Sequence, residues 1–222
     1  MKHAANTRER ILLEALNLFS MKGFEPVTVR DIARAVGIKE SSIYNHFINK
    51  QDIFDSIIQT YAARGNELFH SMELIGDNME FAVDTRTVSM YQQMTQDQFA
   101  VIAGQIFEFY FVDEINVKLR KMLAIEQFRN PEISMLFRKL SFDDAINFQS
   151  SLFAALIEAR CFVQTDPYLM ALAFFAPIFL IFNKFDNNEQ SLLEAKHLFI
   201  RHIDHFNRVY GVTNELPSEN RT

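Results

Sequence analysis

The sequence predicts an all-α protein in which an N-terminal three-helix headpiece is followed by a larger helical domain. Only six Gly and five Pro occur in 222 residues, so long loops and tight turns are scarce. Hydrophobic residues make up 49% of the chain, enough for a sizeable core, and they recur three and four positions apart along most of its length. The third observation is a short segment, residues 28–50, whose pattern is typical of a helix-turn-helix.

The first part of that segment predicts a helix over residues 29–35 and a tight turn after it. Thr28 is a favourable N-cap, because its hydroxyl can accept from a backbone N–H of the first turn. Gly37 can end the helix in the left-handed conformation that other residues rarely adopt. The small Ala33 lets a second helix cross nearby, and Ile38 is expected to point inward from the turn.

The second part predicts a helix over residues 39–45 that is apolar on one side and polar on the other. Ile43 and Phe47 lie four positions apart and share one face. The other side carries hydrogen-bonding side chains, namely Lys39, Ser41, Ser42, Asn45 and His46. Donors and acceptors of this kind read base edges in the major groove of DNA, so this helix is the candidate DNA-reading element.

The remaining helices follow from apolar periodicity and from capping residues. The first runs from Asn6 to Lys22 and begins with a capping-box pattern of Asn6 and Glu9. A long helix is predicted from Lys50 to about Ile75, where residues 76–78 break it. The later predicted helices span residues 79–111, 113–128, 132–160 with a possible break near 141, 167 to a break at 187–188, and 189–210.

Residues 167–182 form a run without a charged side chain. A membrane span needs roughly 20 apolar residues, and this run is shorter and is followed by Lys184. We therefore expect a helix buried between the core and a second subunit, with the last helix beside it in a four-helix dimer interface. The expected companion face of the last helix is Leu192, Leu193, Ala195, Leu198, Phe199, His202, Ile203 and Phe206.

Charge and cysteine content bound the class of protein. The net charge is −6, but residues 1–60 contain eight Lys/Arg and seven Asp/Glu, so they carry +1 and the rest carries −7. DNA binding would therefore rely on a dimer and on the local placement of charge. The single Cys161 excludes an internal disulfide framework, and no signal peptide is recognisable, so a cytoplasmic location is expected.

The helix-turn-helix and its flanks resemble the TetR family of bacterial transcriptional regulators (TetR/AcrR type) over roughly residues 7–55. Residues 8–12 and the pattern from Ala15 to Gly23-Phe24 are similar to the family's first helix and its end. The matching motifs that follow are Asp31-Ile32-Ala33, Gly37-Ile38, Ile43-Tyr44, His46-Phe47 and Lys50. The resemblance implies a homodimeric regulator, most often a repressor, that binds a double-stranded DNA operator and answers to a small-molecule effector.

The resemblance also assigns residues to DNA. The expected phosphate contacts are Thr28, Tyr44, His46 and Lys50, the last through its ammonium and nearby backbone N–H groups. Arg30 is expected to reach a guanine, although a solvated surface arginine is an equal alternative. The candidates for base edges or adjacent phosphates are Lys39, Ser41, Ser42 and Asn45. Two positions depart from many family members, which have Lys at position 40 and Gly at position 41. Here Glu40 would be repelled by phosphate unless it accepts from a cytosine amino group.

We expect residues 1–50 to form the DNA-binding domain, residues 51–211 the effector-binding and dimerisation domain, and residues 212–222 a disordered tail. Glutamines among apolar side chains on one helical stripe indicate a pocket with polar anchors. The candidate lining residues are Tyr91, Met94, Gln98, Ile102, Gln105 and Phe109, with Phe148 and Phe175 as further walls. A helix packed into the core with its glutamines at the edge explains this stripe equally well. The 23 Phe favour an apolar or amphipathic effector, or a filled core.

Other functions find little support in the sequence. It contains no nucleophile elbow, no phosphate-binding glycine loop and no Cys/His dyad pattern, so we expect no catalytic residue, no metal and no cofactor. His197, His202 and His205 share one helix but lack an accompanying Glu or Cys ligand. The open alternatives are a helical small-molecule carrier or enzyme with a structural headpiece, a regulator without a small-molecule ligand, and a membrane-associated helical protein.

Overall fold

The computed structural model describes residues 6–61, 64–71, 83, 85–185 and 189–212. These residues are helical and contain no strand, apart from one isolated bridge between Phe162 and Gly211. The all-α class is confirmed. The helices are α1 (Thr7–Lys22), α2 (Val29–Val36), α3 (Glu40–Ile43), α4 (Lys50–Tyr61), α5 (Arg64–Ser71), α6 (Thr85–Gln93), α7 (Gln96–Phe107), α8 (Glu114–Glu126), α9 (Pro131–Arg138), α10 (Asp144–Glu158), α11 (Pro167–Lys184) and α12 (Glu189–Tyr210), with π-helical turns at Glu108–Val112 and Lys139–Asp143.

The first compact unit comprises residues 1–72 and 108–144, and it contains the headpiece. Helix α1 packs on α2 and α4 and also along α8. The shared core is closed to solvent, because Leu16, Phe19, Ile32, Ile57 and Met122 are each fully buried. The headpiece therefore has α8 as part of its own core. The compact units divide the chain differently from the predicted functional domains, and the division at residue 50 stays a prediction.

The second compact unit comprises residues 73–107 and 145–222. Its core is rich in aromatic rings: Phe153 stacks on Phe206 at a centroid distance of 5.2 Å, and Phe162 meets both. Half of the face that we expected α12 to offer to a second chain is already buried inside this unit. That expectation was wrong for Ala195, Phe199, Ile203 and Phe206, which are at most 5% exposed.

Two predicted helices differ from the observed ones. The helix predicted over residues 79–111 is interrupted at Met94–Thr95, so the prediction of one continuous helix was wrong. The physical reason is a capping box, since the Thr95 hydroxyl accepts from the Gln98 N–H (3.2 Å) and the Gln98 amide oxygen accepts from the Thr95 N–H (2.9 Å). Near Ser141 the chain makes a π-helical turn and stays helical.

Several other predicted elements lie partly or wholly outside the residues that the structure describes. The long helix predicted from Lys50 is present as α4 and α5, while residues 62–63 and 72–75 lie outside the described residues. The breaks predicted at 76–78 and 187–188 and the tail beyond residue 212 also lie outside them. The predicted helix over residues 39–45 is α-helical at Glu40–Ile43 and continues as turn over residues 44–46.

Helix α11 is long and apolar enough to cross a membrane, judged by length and composition alone. A core helix of a soluble protein passes the same test, so the finding is weak evidence for a membrane span. One side of α11 packs into its unit through Met170, Ala171, Ile178 and Ile181. Asp166 caps its start and Pro167 occupies the first helical position, where the missing N–H of proline is tolerated.

Candidate DNA-binding surface

A complete capping box fixes the start of α2. The Thr28 hydroxyl oxygen accepts from the Asp31 N–H (3.1 Å), and the Asp31 carboxylate accepts from both the Thr28 N–H (3.0 Å) and its O–H (2.6 Å). These hydrogen bonds from Thr28 lower the pKa of Asp31. Thr28 is the N-cap that the sequence predicts. The Thr28 hydroxyl already donates its hydrogen bond to Asp31, so a DNA phosphate that accepts from this hydroxyl must compete with the carboxylate.

The turn after α2 sets the direction of α3. Gly37 adopts the left-handed conformation (φ 77°, ψ 34°), and its N–H and that of Ile38 close the end of α2. An L-residue with a side chain is disfavoured there, which explains the glycine. Ile43 and Phe47 are then 1% and 3% exposed against the headpiece core. The apolar back of the candidate reading element is therefore fixed by packing.

The front of this element is exposed to solvent. Tyr44 is 53% exposed, and Ser42 is half-buried. Within the described part of the chain, none of the predicted contact side chains in this segment makes a hydrogen bond. These side chains are Lys39, Ser41, Ser42, Tyr44, Asn45 and His46. A run of free donors and acceptors over a buried back matches what readout of base edges and phosphates requires.

One ion pair crosses this surface. The Nε of Arg30, in the first turn of α2, lies 3.2 Å from Oε2 of Glu40, in the first turn of α3. The side chains are 75% and 39% exposed. Glu40 is one of the two departures from the family pattern, and its charge is here opposed by a residue predicted to reach a guanine.

Lys50 has protein partners that sequence reasoning did not foresee. Its ammonium donates to the carbonyl oxygens of Phe24 (2.8 Å) and Glu25 (3.3 Å), and it lies 4.1 Å from the centroid of the Phe24 ring. In this structure the ammonium is bound to the loop after α1. Its predicted phosphate contact, and that of the α4 backbone N–H groups, stay predictions.

A buried carboxylate on the other side of the same loop was missed from the sequence. Glu126, in the last turn of α8, is 4% exposed, and its Oε1 accepts from the Phe24 N–H at 2.8 Å. Arg129 lies 3.6 Å from the same oxygen. Gly23 (φ 80°) lies so close that a Cβ there would approach this oxygen to 2.9 Å. In the sequence Glu126 and Arg129 look like an ordinary surface pair three residues apart.

An open cleft of about 570 Å³ lies beside this junction in the first compact unit. Its lining combines aromatic side chains, carboxylates and one arginine, but it includes no residue predicted to contact DNA or the effector. The lining residues are Phe24, Glu25, Gln51, Phe54, Glu126, Arg129, Asn130, Pro131, Glu132 and Ile133.

The predicted effector residues are divided between the two units. Tyr91 packs in the second unit, where burial raises its pKa to about 12, whereas Phe109 belongs to the first. Gln98 is exposed and holds the capping box with Thr95, and Gln105 is exposed as well. The other four are half-buried, namely Met94, Ile102, Phe148 and Phe175. The effector pocket stays a prediction.

The three histidines of α12 do not form a metal-binding cluster in the described structure. His202 is half-buried, and its Nε2 donates to the Phe174 carbonyl oxygen (2.7 Å), while His197 and His205 are exposed. Burial lowers the pKa of His202. Among the described residues no group of three or more His, Cys, Asp or Glu is placed to hold a metal ion.

Comparison with known proteins relates the helix-turn-helix region to a family. A sequence model of the bacterial regulatory proteins of the tetR family matches residues 11–57. IcaR of Staphylococcus aureus, a negative transcriptional regulator of the biofilm operon icaADBC, is 27% identical over 187 residues that cover 72% of this chain and 95% of IcaR.

Solved structures agree on the fold. A TetR-family transcriptional regulator from Mesorhizobium loti has a TM-score of 0.65 and 21% identity, covering 96% of this chain and 100% of its own. The complex of SmeT with triclosan has a TM-score of 0.65 and 18% identity, covering 95% and 94%, and SmeT is the repressor of the Stenotrophomonas maltophilia multidrug efflux pump SmeDEF. The sequence match falls on the helices that build the exposed face of α3 over its buried back, and residues 11–57 of this chain carry the helix-turn-helix of the tetR family of bacterial regulatory proteins.

Proposed function

We propose that this regulator is a homodimeric, cytoplasmic repressor that binds a palindromic operator and is released by a small apolar or amphipathic effector. The observation that carries the proposal is the row of unbonded polar side chains on and after α3, which are exposed apart from the half-buried Ser42 and are held over the buried Ile43 and Phe47. IcaR is a negative regulator and SmeT is a repressor that has been solved with triclosan, which supports both the sign of regulation and the effector class.

An exposed apolar stripe on α11 supports the dimer. Leu169, Ala173, Ala176 and Leu180 are all exposed and follow the four-three-four spacing of a helix seam. On α12, Leu193 and Ile200 are exposed seven positions apart. Apolar stripes of this kind are stabilised when a second copy covers them, and two helices from each chain form a four-helix interface.

An ion pair within the first unit supports a route from effector to headpiece. Both Nη atoms of Arg64, in α5, bind the carboxylate of Asp113, the N-cap of α8, at 2.8 and 2.9 Å. Helix α8 in turn packs along α1. A displacement of α5 would therefore reach α1 of the headpiece through two contacts, the Arg64–Asp113 pair and the packing of α8 on α1. Since half-sites have a fixed spacing on DNA, a small change in the separation of the two reading helices would discriminate bound from released states.

The test is binding to DNA fragments from upstream of the gene and its neighbours, across a salt series, with wild type and Tyr44→Ala. Selective, salt-weakened binding that the variant loses is the expected result. Equal binding to random DNA, together with failure to select any site from a random pool, would contradict the proposal. Apolar and amphipathic compounds are then screened for release of the selected DNA.

A second candidate is a regulator without a small-molecule ligand. It is favoured by the aromatic rings that fill the core of the second unit and by the exposure of Gln98 and Gln105, the two expected polar anchors. Binding of an apolar fluorescent probe to the dimer, displaced by compounds that also release DNA, would decide against it.

A further inference from the structure

The pairing of Arg30 with Glu40 joins the two helices that face the DNA in the proposed function. Glu40 stands in the first turn of α3, where a carboxylate is favoured by the helix dipole. A role as a simple first-turn acid would leave the side chain near the α3 backbone. Instead it reaches the Nε of Arg30 on the neighbouring helix at 3.2 Å.

The geometry of the pair limits what Arg30 can do. A guanidinium has five N–H donors in a fixed fork. In the described residues Nε is the nitrogen of Arg30 that is hydrogen-bonded, and the side chain is 75% exposed. With Nε occupied, the two Nη groups remain, and these can bind the O6 and N7 of one guanine end-on.

The charge of the pair matters as much as its geometry. Residues 1–60 carry a net charge of only +1, so each cation contributes much of the attraction to phosphate. A lone Arg30 would bind phosphates of any sequence. The adjacent carboxylate opposes that use, because it is repelled by phosphate oxygens, whereas it does not oppose a guanine edge, which carries acceptors without a net charge.

We propose that Glu40 is a specificity-determining positioning residue, which acts through Arg30 by holding its Nε and by suppressing its binding to phosphates of any sequence. The inference rests on the proposed DNA-binding function. It gives the departure from lysine at position 40 a physical role. A lysine there would raise the sequence-independent affinity for DNA, and the glutamate lowers it.

The experiment compares wild type with Glu40→Gln, Arg30→Ala and the double variant, using the full chain, its selected operator and a random duplex of equal length. Glu40→Gln keeps the shape and a hydrogen-bonding oxygen but removes the charge. We expect tighter binding to random DNA, with a salt slope steeper by about 0.9 for each subunit's additional phosphate contact. The ratio of operator to random affinity should fall about tenfold, in the range that one bidentate base contact supplies. In the Arg30→Ala background the same change should have no effect on this ratio.

Glu25→Gln is the matched control, since it removes one carboxylate charge from an exposed position of the same headpiece. If Glu40→Gln behaves as Glu25→Gln does, the inference is overturned while the regulator remains a DNA-binding protein. A loss of selectivity that persists in the Arg30→Ala background would also overturn it, because Glu40 would then read a cytosine itself. If wild type selects no DNA site, the proposed function fails and the inference with it.

Discussion

Lys39 and Lys50 each stand at the beginning of a headpiece helix, but the structure uses them in opposite ways. The side chain of Lys39 is exposed and makes no hydrogen bond within the described residues. That of Lys50 is held by two carbonyl oxygens and the ring of Phe24. The same residue type thus serves as a free cation on the α3 surface and as a connector at the end of α1.

The two regions around these lysines also differ in whether their polar groups are hydrogen-bonded within the protein. On the α3 surface, side chains such as Tyr44 and Asn45 leave their polar groups unbonded. At the junction after α1, the backbone of Phe24 is held on both sides, because its N–H donates to Glu126 and its carbonyl oxygen accepts from Lys50. Polar groups without a protein partner are available to bind DNA, whereas polar groups that are hydrogen-bonded within the protein stabilise its packing. Substitutions in the first region should therefore affect DNA binding, and those in the second should affect stability.

The largest expected effect is that of Tyr44→Ala on operator binding. Each subunit would lose a hydrogen bond to a charged phosphate, worth about 1.5–3 kcal/mol, so a dimer should lose roughly 100-fold or more in affinity. Tyr44 is 53% exposed, so its replacement should change the free energy of unfolding by no more than about 0.5 kcal/mol. Fluorescence anisotropy with labelled operator and urea unfolding measure the two quantities.

Tyr44→Phe separates the hydroxyl from the ring in that experiment. It should reproduce most of the loss if the hydroxyl contacts phosphate. Full operator affinity in Tyr44→Phe, with loss in Tyr44→Ala, would assign the contribution to packing of the ring. Unchanged affinity in both variants would remove Tyr44 from the DNA-binding surface.

The next effect is on stability and comes from Glu126→Ala. The substitution leaves the Phe24 N–H without its acceptor and deprives Arg129 of a nearby carboxylate, for an expected loss of about 2–3 kcal/mol in the free energy of unfolding. The matched control is Glu25→Ala, an exposed glutamate of the same loop, with an expected change below about 0.5 kcal/mol. Equal losses in both variants, measured by urea unfolding, would show that the buried contact adds nothing.

Tyr44 and Glu126 also show what the sequence could and could not predict. Tyr44 belongs to a local pattern in which helix periodicity, a cap and a glycine turn agree over some twenty residues, so its position after α3 follows from the chain alone. Glu126 meets Phe24 across 102 positions. No periodicity encodes that contact, since it depends on how α8 packs along α1.

The same distinction explains the errors in the second half of the chain. The break at Thr95 results from a capping box in which a threonine and a glutamine bind each other's backbone. In the sequence Gln98 fits an amphipathic stripe equally well, so periodicity alone does not predict the break. On α12 the apolar residues marked a buried face correctly, but periodicity does not say whether a face is covered by the same chain or by a second one.

Lys50→Met should have an intermediate effect on stability. Methionine retains an apolar side chain but loses both carbonyl hydrogen bonds and the cation over the Phe24 ring, which together are worth about 1–2 kcal/mol. Lys39→Met is the control on the other surface and should leave the free energy of unfolding within about 0.5 kcal/mol of wild type.

The same two variants also test DNA binding. If Lys50 acts through the loop alone, Lys50→Met should leave the dependence of operator affinity on salt unchanged, and Lys39→Met should reduce its slope by about one phosphate contact per subunit. A reduced slope together with unchanged stability in Lys50→Met would return Lys50 to the phosphate contacts.

The smallest effect is a pH-dependent one at the ion pair between α5 and α8. The hydrogen bonds from Arg64 are the main cause that holds the pKa of Asp113 below its usual range. A lowered pKa in the folded state means that the stabilisation is fully present above the ordinary Asp value and is lost as pH falls through the folded value. Asp113→Asn keeps a good N-cap but removes the charge, and it should cost about 1 kcal/mol at pH 7 because the pair is partly exposed.

The difference in unfolding free energy between wild type and Asp113→Asn should therefore shrink as urea unfolding is repeated from pH 7 down to pH 3. Protonation makes the wild-type side chain neutral, as the asparagine already is, so the two proteins converge. Glu114→Gln is the control, because Glu114 is exposed and its partner Lys118 lies one turn away on the same helix, so the pair does not join two elements. A difference that stays constant over this range would mean that the Asp113 carboxylate acts only as a helix cap. A difference that shrinks would make the charge of Asp113 a link between α5 and α8, and hence between α5 and the headpiece core.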